Sequence, residues 1–491
     1  MTKRARTILF LSFVLLFLIS VPPVIFYADG YRIDFAHFRI VKVGALRINA
    51  RPFPANMYVD EKFIESTSFL FRTTFITDLL PQNYLVQVKK DGYQTWQKQL
   101  AVYEGSITSA TAITLFPIFP LQTIIQSDAV SSGFFPEPKG RAALIAYNAQ
   151  DRSYNIGAYN SQTHQLLNLD IPNSVGVLTD VVWSNDAKKA LLIFTKSNGA
   201  FSYIIADNLG ETPTITFASS LSTLLPSKGM FSRTQWSNDN SHLLTIVSYT
   251  ATTKKTQQDL YYIDLDTNTS TKPVRARLEN YVLDVKDFLV LQDGIYTIEG
   301  AINTMNHYSA TLSNRTQISS TPYPVTFNTP SAAFRLIGDS SMIFALHSDG
   351  QLLRFNQAKQ TFDKIADGVR NIIPAPDGLK VALQKDNEVY LYWVKDINDI
   401  PNHKKDDVEL IWRLSEPIKW ITWLSAPYQY LAIGTTTSLR ISELDTRDGR
   451  NIVSYKQIAP NSGMVWNDQN QELLLVNKND FVGVSLDKTT Q

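Results

Sequence analysis

The chain has 491 residues, more than one hydrophobic core usually serves, so at least two folded units are expected. Its 46 basic and 45 acidic side chains leave a net charge of +1 without a basic block, which argues against nucleic acid as a partner. Cysteine is absent, which excludes disulfides, thiolate nucleophiles and iron–sulfur clusters.

The first element is an apolar segment, TILFLSFVLLFLISVPPVIFY, which runs from Thr7 to Tyr27 without a charge. A helix of this length spans roughly 31 Å, about the thickness of a bilayer core. Three basic residues precede it, which predicts a cytoplasmic N-terminus and an extracytoplasmic location for the bulk of the chain. A cleaved signal peptide is the alternative, with a weak cleavage point at Ala28. We expect residues 1–28 to form the cytoplasmic stub and an uncleaved single-pass anchor.

A connector at 29–43 leads to a segment, 44–117, in which apolar and polar residues alternate in short runs. Asp91-Gly92 separates two of these runs and predicts a tight turn, because glycine adopts positive φ without steric cost. About seven short strands fit this length, which predicts a small β-sandwich.

Several residues of this segment, taken in order, resemble the PEGA domain, a small extracytoplasmic β module of bacterial surface proteins. They are Pro52, Ala55, Tyr58-Val59-Asp60, Leu80-Pro81, Tyr84, Val88, Lys90, Gly92, Tyr93 and Trp96. Phe53-Pro54 stands where the family has its name-giving Glu-Gly. The resemblance implies a fold and an extracytoplasmic location, but no catalytic residue. Tyr93 and Trp96 are expected to fill the sandwich core, and a sugar-stacking platform is the alternative.

One phrase recurs eight times from residue 118 onward: a large apolar residue at a strand end, a polar turn, and an apolar strand. Its copies begin at Phe134, Trp183, Trp236, Leu283, Phe334, Ile373, Trp423 and Trp466. Successive copies start 39 to 53 residues apart, and this period with only β signals predicts a β-propeller of four-stranded blades. The phrase resembles the repeat of TolB-like propellers, in which Trp-Ser-Pro-Asp-Gly is usual.

The tetrapeptide Trp-Ser-Asn-Asp occurs unchanged at Trp183 and Trp236, and marks either a repeated chemical site or a repeated piece of scaffold. Nothing reactive recurs with it, so we interpret it as scaffold: the Trp packs between blades and Ser-Asn-Asp forms a side-chain-to-backbone turn. The last repeat has only three strands of its own. We expect Leu121–Gln126 to supply the fourth and close the ring, with eight blades favoured and seven possible.

Motifs that carry chemistry are scarce. The six histidines, at positions 37, 164, 242, 307, 347 and 403, lack metal-ligand spacing. The run from Asp264 to Asn268 begins like a calcium loop but lacks the glycine and the acid that complete one. The sequence contains no nucleophile elbow or P-loop, and we can place neither the stacking Trp nor the calcium site of a quinoprotein dehydrogenase. We assign no catalytic, cofactor-binding or metal site.

The sequence therefore predicts an all-β protein with an N-terminal transmembrane helix, a PEGA-like β-sandwich at 44–117 and a β-propeller at 118–491. The function we expect is that of a non-catalytic, membrane-anchored protein of the bacterial cell envelope that binds a protein or a wall polymer. The charged insertion Lys395–Asp407 should form a rim loop, where binding often resides. The alternative is a propeller enzyme acting on extracellular glycans, with two or more buried carboxylates about 5 to 10 Å apart in the channel.

Overall fold

The computed structural model describes the chain in thirteen ranges: 3–35, 38–67, 73–148, 154–209, 213–218, 221, 224, 229–250, 256–266, 275–320, 334–339, 342–397 and 401–489. Within them the protein is mostly β, with one long helix at its N-terminus. The expected fold class is confirmed: an apolar helix precedes a small sandwich and a series of four-stranded sheets arranged as in a propeller.

The N-terminal helix, α1, spans Lys3–Ala28. Its section Arg6–Ala28 has a mean hydropathy of 2.7, and none of it is buried inside the protein. This helix is long and apolar enough to cross a membrane, a property that it shares with signal sequences.

A two-stranded hairpin, β1 Tyr31–Asp34 and β2 Arg39–Lys42, occupies the stretch that we expected to be only a connector. Arg32 on β1 lies 3.6 Å from the ring centroid of Tyr27 and forms an ion pair of 2.6 Å with Asp78 in the sandwich. These contacts connect the end of the helix to the first folded domain.

The sandwich consists of two sheets that share one apolar core. Its seven strands are β3 Gly44–Arg51, β4 Asn56–Val59, β5 Lys62–Ser66, β6 Thr73–Leu79, β7 Asn83–Lys89, β8 Trp96–Ala101 and β9 Ile107–Thr114. The sheets have the orders β6-β3-β9 and β5-β4-β7-β8, so β9 is an edge strand. Alternate side chains such as Leu46, Ile48 and Met57 point inward and are fully buried, as the period of two requires. The expected seven-stranded sandwich is confirmed.

Eight four-stranded antiparallel sheets follow in the described residues, and we number them blades 1 to 8. Blade 1 comprises β11 Ala129–Pro136, β12 Ala142–Asn148, β13 Tyr154–Asn160 and β14 Gln165–Leu169. Blade 2 comprises β15 Val177–Trp183, β16 Ala190–Thr195, β17 Phe201–Asp207 and β18 Thr214–Phe217. Blade 3 comprises β19 Met230–Trp236, β20 His242–Thr250, β21 Thr256–Asp266 and β22 Arg275–Val282. Blade 4 comprises β23 Val285–Leu291, β24 Gly294–Glu299, β25 Thr304–Tyr308 and β26 Thr316–Gln317. Blade 5 comprises β27 Phe334–Asp339, β28 Met342–His347, β29 Leu352–Asn356 and β30 Thr361–Ala366. Blade 6 comprises β31 Asn371–Pro374, β32 Lys380–Gln384, β33 Glu388–Trp393 and β34 Val408–Arg413. Blade 7 comprises β35 Trp420–Trp423, β36 Tyr430–Gly434, β37 Leu439–Glu443 and β38 Ile452–Tyr455.

Blade 8 combines strands from both ends of the propeller. Its strands are β10 Pro120–Gln126, β39 Pro460–Asn467, β40 Glu472–Asn477 and β41 Asp480–Thr489, in the order β10-β41-β40-β39. β10 runs antiparallel to β41, with Leu121 opposite Ser485 and Ile124 opposite Val482. The expected closing strand is confirmed, and it covers the sheet edge that β41 would otherwise expose.

Apolar side chains fill the space between each pair of neighbouring blades, in eight clusters. One of these clusters joins Phe134 and Tyr159 of blade 1 to Val465 and Phe481 of blade 8. The eight blades therefore form a closed ring. The first strand of each of blades 1 to 7, and β39 of blade 8, is the inner strand that borders the central channel.

The repeated tryptophans lie at the ends of inner strands and connect blades. The indole Nε1 of Trp236, at the end of β19, donates to the carbonyl oxygen of Val182 in the preceding blade at 2.8 Å. In the same way Trp423 donates to the carbonyl of Ile373 at 2.9 Å. Each bond satisfies the polar atom of a buried indole while its ring packs in the apolar cluster.

The polar residues of the tetrapeptide form the turn that returns the chain as the second strand. Ser184 donates its hydroxyl to Oδ1 of Asp186 at 2.6 Å, and the backbone N–H of Lys189 donates to the Ser184 hydroxyl at 2.9 Å. The amide of Asn185 donates to the carbonyl of Ser237 in the next blade at 3.1 Å. These bonds confirm the scaffold interpretation.

The phrase at Leu283 does not follow the pattern, and our interpretation of it was wrong. Its polar turn, Leu283-Asp284, joins blade 3 to blade 4, and the apolar strand after it, β23, is the inner strand. The turn after β23 is the two-residue connection Gln292-Asp293, since Leu291 pairs with Gly294. Asp284 adopts a φ of 54° in this turn. Aspartate is favoured in turns of either kind, so its presence did not distinguish a turn between blades from a turn within a blade.

Candidate functional site: the cleft between sandwich and propeller

A buried ion pair joins the sandwich to the propeller. Lys98 on β8 is fully buried, and its Nζ lies 2.7 Å from Oε1 of Glu443 at the end of β37. The indole Nε1 of Trp96 donates to the other carboxylate oxygen at 2.8 Å. The same ammonium donates to the carbonyl oxygens of Asp445 and Arg447 at 3.0 and 2.7 Å. Both charges are thus compensated, as burial requires.

Two further contacts extend this junction. The hydroxyl of Tyr93 donates to the carbonyl oxygen of Asp487 at 2.6 Å, and the backbone N–H of Thr114 donates to the hydroxyl oxygen of Tyr430 at 2.9 Å. Burial raises the pKa of Tyr430 far above its usual value, so this phenol stays protonated.

The expected core position of Trp96 is confirmed, since only 4% of the residue is exposed within the sandwich cluster. Tyr93 is partly buried and packs against the same cluster. The sequence did not indicate that both polar ends face the propeller, because the partners lie about 350 to 400 positions further along the chain.

A cleft of about 750 Å³ lies beside the junction, between β9 and blades 6 and 7. Its volume falls within the range of small-molecule and peptide pockets. The sandwich side consists of most of β9 with Arg47 from β3 and Trp96 from β8. The propeller side consists of turns and loops of the two blades, with the polar and aromatic residues Asp377, Lys380, Trp393, His403, Tyr428 and Arg447.

Three described residues of the charged insertion, Ile397, Pro401 and His403, line part of this cleft. The ring of His403 stacks on Trp393 at 3.9 Å with an interplanar angle of 11°. Burial lowers the pKa of His403 although Glu409 lies 3.6 Å away, so the imidazole is neutral at pH 7 and the stacked pair is uncharged. Part of the insertion, 398–400, lies outside the described residues.

The carboxylates that line the cleft are already paired. Asp377 lies 2.6 Å from Lys380, and Asp445 lies 2.6 Å from Arg447. Arg47, in contrast, is exposed and has no ion-pair partner among the described residues. Among the described residues that line the cleft, Arg47 is therefore the one cation without an ion-pair partner.

The described histidines do not form a metal site. No group of three or more His, Asp or Glu in the described part of the chain could hold a metal ion. His242 stacks on Tyr262 at 4.6 Å between blade strands. His37, and Thr267 and Asn268 of the calcium-like run, lie outside the described residues.

The alternative function, glycan cleavage, predicts two or more buried carboxylates in the central channel. On the inner strands, Asp287 of β23 is the one buried carboxylate among the side chains that the structure describes. Its Oδ1 lies 3.0 Å from Nε of Arg233 in blade 3, and its Oδ2 accepts a hydrogen bond of 2.5 Å from the backbone N–H of Leu336 in blade 5. This carboxylate links three blades and has no second buried acid beside it in the described channel wall.

Solved structures that are similar to this chain share little of its sequence. No protein-family model and no curated protein matches the chain. A crystal structure of the eukaryotic initiation factor is 11% identical with a TM-score of 0.44, covering 84% of this chain and 95% of that one. The WD40 domain of SCAP from fission yeast is 10% identical with a TM-score of 0.44, covering 76% and 95%. The dihydro-heme d1 dehydrogenase NirN is 10% identical with a TM-score of 0.41, covering 74% and 73%.

At TM-scores of 0.41 to 0.44 these similarities carry no argument about this chain, and its propeller architecture rests on its own sheets and clusters. The names of the three proteins describe different activities, and at identities of 10 to 11% none of these is carried over to this chain. The site must therefore be argued from its own residues.

Proposed function

We propose that this protein is a membrane-anchored, extracytoplasmic component of a bacterial cell envelope, in which the sandwich and propeller form a non-catalytic binding platform. The observation that carries the proposal is the cleft between β9 and blades 6 and 7. The buried Lys98–Glu443 pair holds its two walls at a fixed separation. A preformed concave site on a rigid scaffold is what a binding protein needs, because little ordering entropy is lost when the ligand binds.

The sequence supports the anchoring and the orientation. The apolar section Arg6–Ala28 is long enough to cross a bilayer, and basic residues precede it. The resemblance of residues 44–117 to the PEGA domain implies the same extracytoplasmic side. Protease added to intact spheroplasts should digest the propeller and leave a small membrane-bound fragment that contains α1. Full protection of the propeller would contradict the orientation.

The binding role is tested by co-sedimentation of the ectodomain, Asp29 to Gln491, with purified wall polymer before and after protease treatment of the polymer. Retention on the stripped polymer identifies a glycan ligand. Binding that disappears after the protease treatment identifies a protein ligand. If neither polymer preparation retains the ectodomain, and cross-linking in intact cells yields no adduct, the platform role is wrong.

A further inference from the structure

The wall of the cleft on the sandwich side is the edge of a β-sheet. β9 pairs with β3 on one side and is the last strand of the order β6-β3-β9. Five consecutive residues, 109–113, line the cleft together with Ile107. A strand contributes residues from both of its faces in this way only when its edge points into the cavity.

Two hydrogen bonds at the end of β9 show which way this edge points. The backbone N–H of Leu115 donates to the carbonyl oxygen of Arg51 at the end of β3, at 2.8 Å. The backbone N–H of Thr114, one residue earlier, donates to the Tyr430 hydroxyl of the propeller at 2.9 Å. Backbone N–H groups of consecutive residues point to opposite sides of a strand, so the side of β9 away from β3 faces the propeller across the cleft. An uncovered strand edge is a template for another strand.

The opposite wall contains two hydrogen-bond donors without a partner in the described part of the chain, beside carboxylates that are already paired. The indole Nε1 of Trp393, a residue that is 5% exposed, and Nη1 of Arg447 are buried and have no hydrogen-bond partner among the described residues. Arg47 on β3 also lines the cleft; its guanidinium lies 5.7 Å from the ring centroid of Phe75 and has no ion-pair partner among the described residues. A ligand for this cleft must therefore supply acceptor oxygens to these donors and a row of alternating donors and acceptors to β9.

We propose that the cleft binds an extended peptide segment of a partner protein, which adds to the free edge of β9 as an additional strand. A polypeptide backbone supplies both the ladder for β9 and carbonyl oxygens for Trp393 and Arg447. An acidic side chain of the peptide pairs with Arg47, and an apolar one packs on the Trp393–His403 stack. This inference rests on the proposed binding role and narrows its ligand to a polypeptide.

The test uses the full chain in detergent micelles and a phage-displayed library of random peptides of about ten residues, somewhat longer than the eight of β9. Enriched peptides are synthesised, and their affinities are measured by fluorescence anisotropy. We expect bound peptide to slow hydrogen exchange of the amides of β9. Methylation of one backbone nitrogen of the peptide that bonds to β9 should weaken binding about tenfold, since it removes a hydrogen bond and adds a steric clash.

Matched variants place the binding site. Thr111→Lys puts a long charged side chain on β9 in the cleft, and Thr77→Lys makes the same change at an exposed position of β6, the opposite edge of the same sheet. We expect Thr111→Lys to weaken peptide binding at least about tenfold and Thr77→Lys to leave it within about twofold. Trp393→Phe keeps an aromatic side chain but removes the indole N–H donor. It should weaken peptide binding severalfold.

The remaining outcomes overturn the inference in distinguishable ways. Two results would contradict the strand addition but leave the platform role intact. In the first, peptides bind without slowing hydrogen exchange of the β9 amides; in the second, the two Thr variants weaken peptide binding equally. Failure to enrich any peptide, combined with retention on stripped wall polymer, rejects the polypeptide ligand and again leaves the platform role. Failure of both assays, with no cross-linked adduct, rejects both proposals.

Discussion

Buried ionised side chains occur at joints between elements of this protein. Lys98 and Glu443 join two domains, and Arg233 and Asp287 join two blades. Breaking such a pair leaves a buried charge unpaired, which typically costs about 3–5 kcal/mol. Both pairs are also hydrogen-bonded to backbone groups, which fixes the relative position of the elements that they connect.

Replacement of Asp287 by Asn should change how stability depends on pH. Burial raises the pKa of Asp287 to about 6, above the value of about 3.9 for an unfolded Asp. Between these values the folded state binds more protons than the unfolded state, so this group favours folding more as the pH falls. The difference in free energy of unfolding, wild type minus Asp287→Asn, should grow between about pH 7 and about pH 4.5 in urea titrations.

Asp180, exposed on the inner strand β15, provides the control for this experiment. Asp180→Asn makes the same change of side chain at an exposed position, and the pH dependence of this variant is the reference against which Asp287→Asn is compared. A difference between wild type and Asp287→Asn that stays constant over the same pH range would contradict a raised pKa. Burial raises the pKa values of Asp186 and Asp239, but hydrogen bonds from Ser side chains and backbone N–H groups together outweigh it and hold both pKa values below their usual range, so the window ends above pH 4. Protonation of those two groups would then destabilise the fold.

At the scale of the element, one strand determines whether the ring is closed. β41 pairs with β40 on one side and with β10 on the other, and it carries buried residues into the clusters on both faces of blade 8. Without β41, β10 would have no partner in its sheet, and β40 would expose its hydrogen-bonding edge.

Truncation after Asn477 should therefore abolish cooperative unfolding of the propeller. Phe481, Val482, Val484 and Leu486 are buried, and at roughly 1.5–3 kcal/mol each their loss amounts to about 6–12 kcal/mol. This is comparable with the entire stability of a typical domain, about 5–15 kcal/mol. Differential scanning calorimetry should show no propeller transition.

Truncation after Lys488 is the matched control, because it keeps the paired residues from Leu121 opposite Ser485 to Gln126 opposite Phe481. This shorter truncation should preserve the wild-type melting temperature. A cooperative propeller transition in the Asn477 truncation would show that the ring does not need its closing strand.

At the scale of the whole molecule, the cleft exists because two domains are held together. Tyr93, Trp96 and Lys98 lie in one short segment of the sandwich, and each has its polar atom bonded to the propeller. The junction and the cleft share Trp96 and Glu443, so a change in the junction would alter the cleft.

Lys98→Met should uncouple the sandwich from the propeller. It leaves Glu443 buried without its cation and removes the donor to the carbonyls of Asp445 and Arg447, so we expect a loss of about 3–5 kcal/mol. Urea titration should then show an earlier, separate transition of the sandwich, and limited proteolysis should cut between the domains. Lys62→Met, at an exposed position of β5, should stay within about 0.5 kcal/mol of wild type. Equal midpoints for both variants would contradict the structural role of Lys98.

Sequence patterns predicted the apolar helix, the seven-stranded sandwich, the scaffold role of Trp-Ser-Asn-Asp and the closing strand at Leu121–Gln126. The first three depend on local periodicity and turn chemistry within about fifty residues of chain, whereas the closing strand was inferred because the last repeat has only three strands of its own. The phrase at Leu283 was misread because a turn between blades has the same local chemistry as a turn within one.

The location of the candidate site became known only from the packing of the sandwich against the propeller. The tertiary structure placed β9 opposite blades 6 and 7, paired Lys98 with Glu443, and brought His403 onto Trp393. No local pattern marks these residues, since Lys98 lies on an alternating strand like any exposed lysine and Glu443 lies 345 positions away. Contacts between distant segments depend on how whole domains pack, and one sequence carries no periodic signal of that packing.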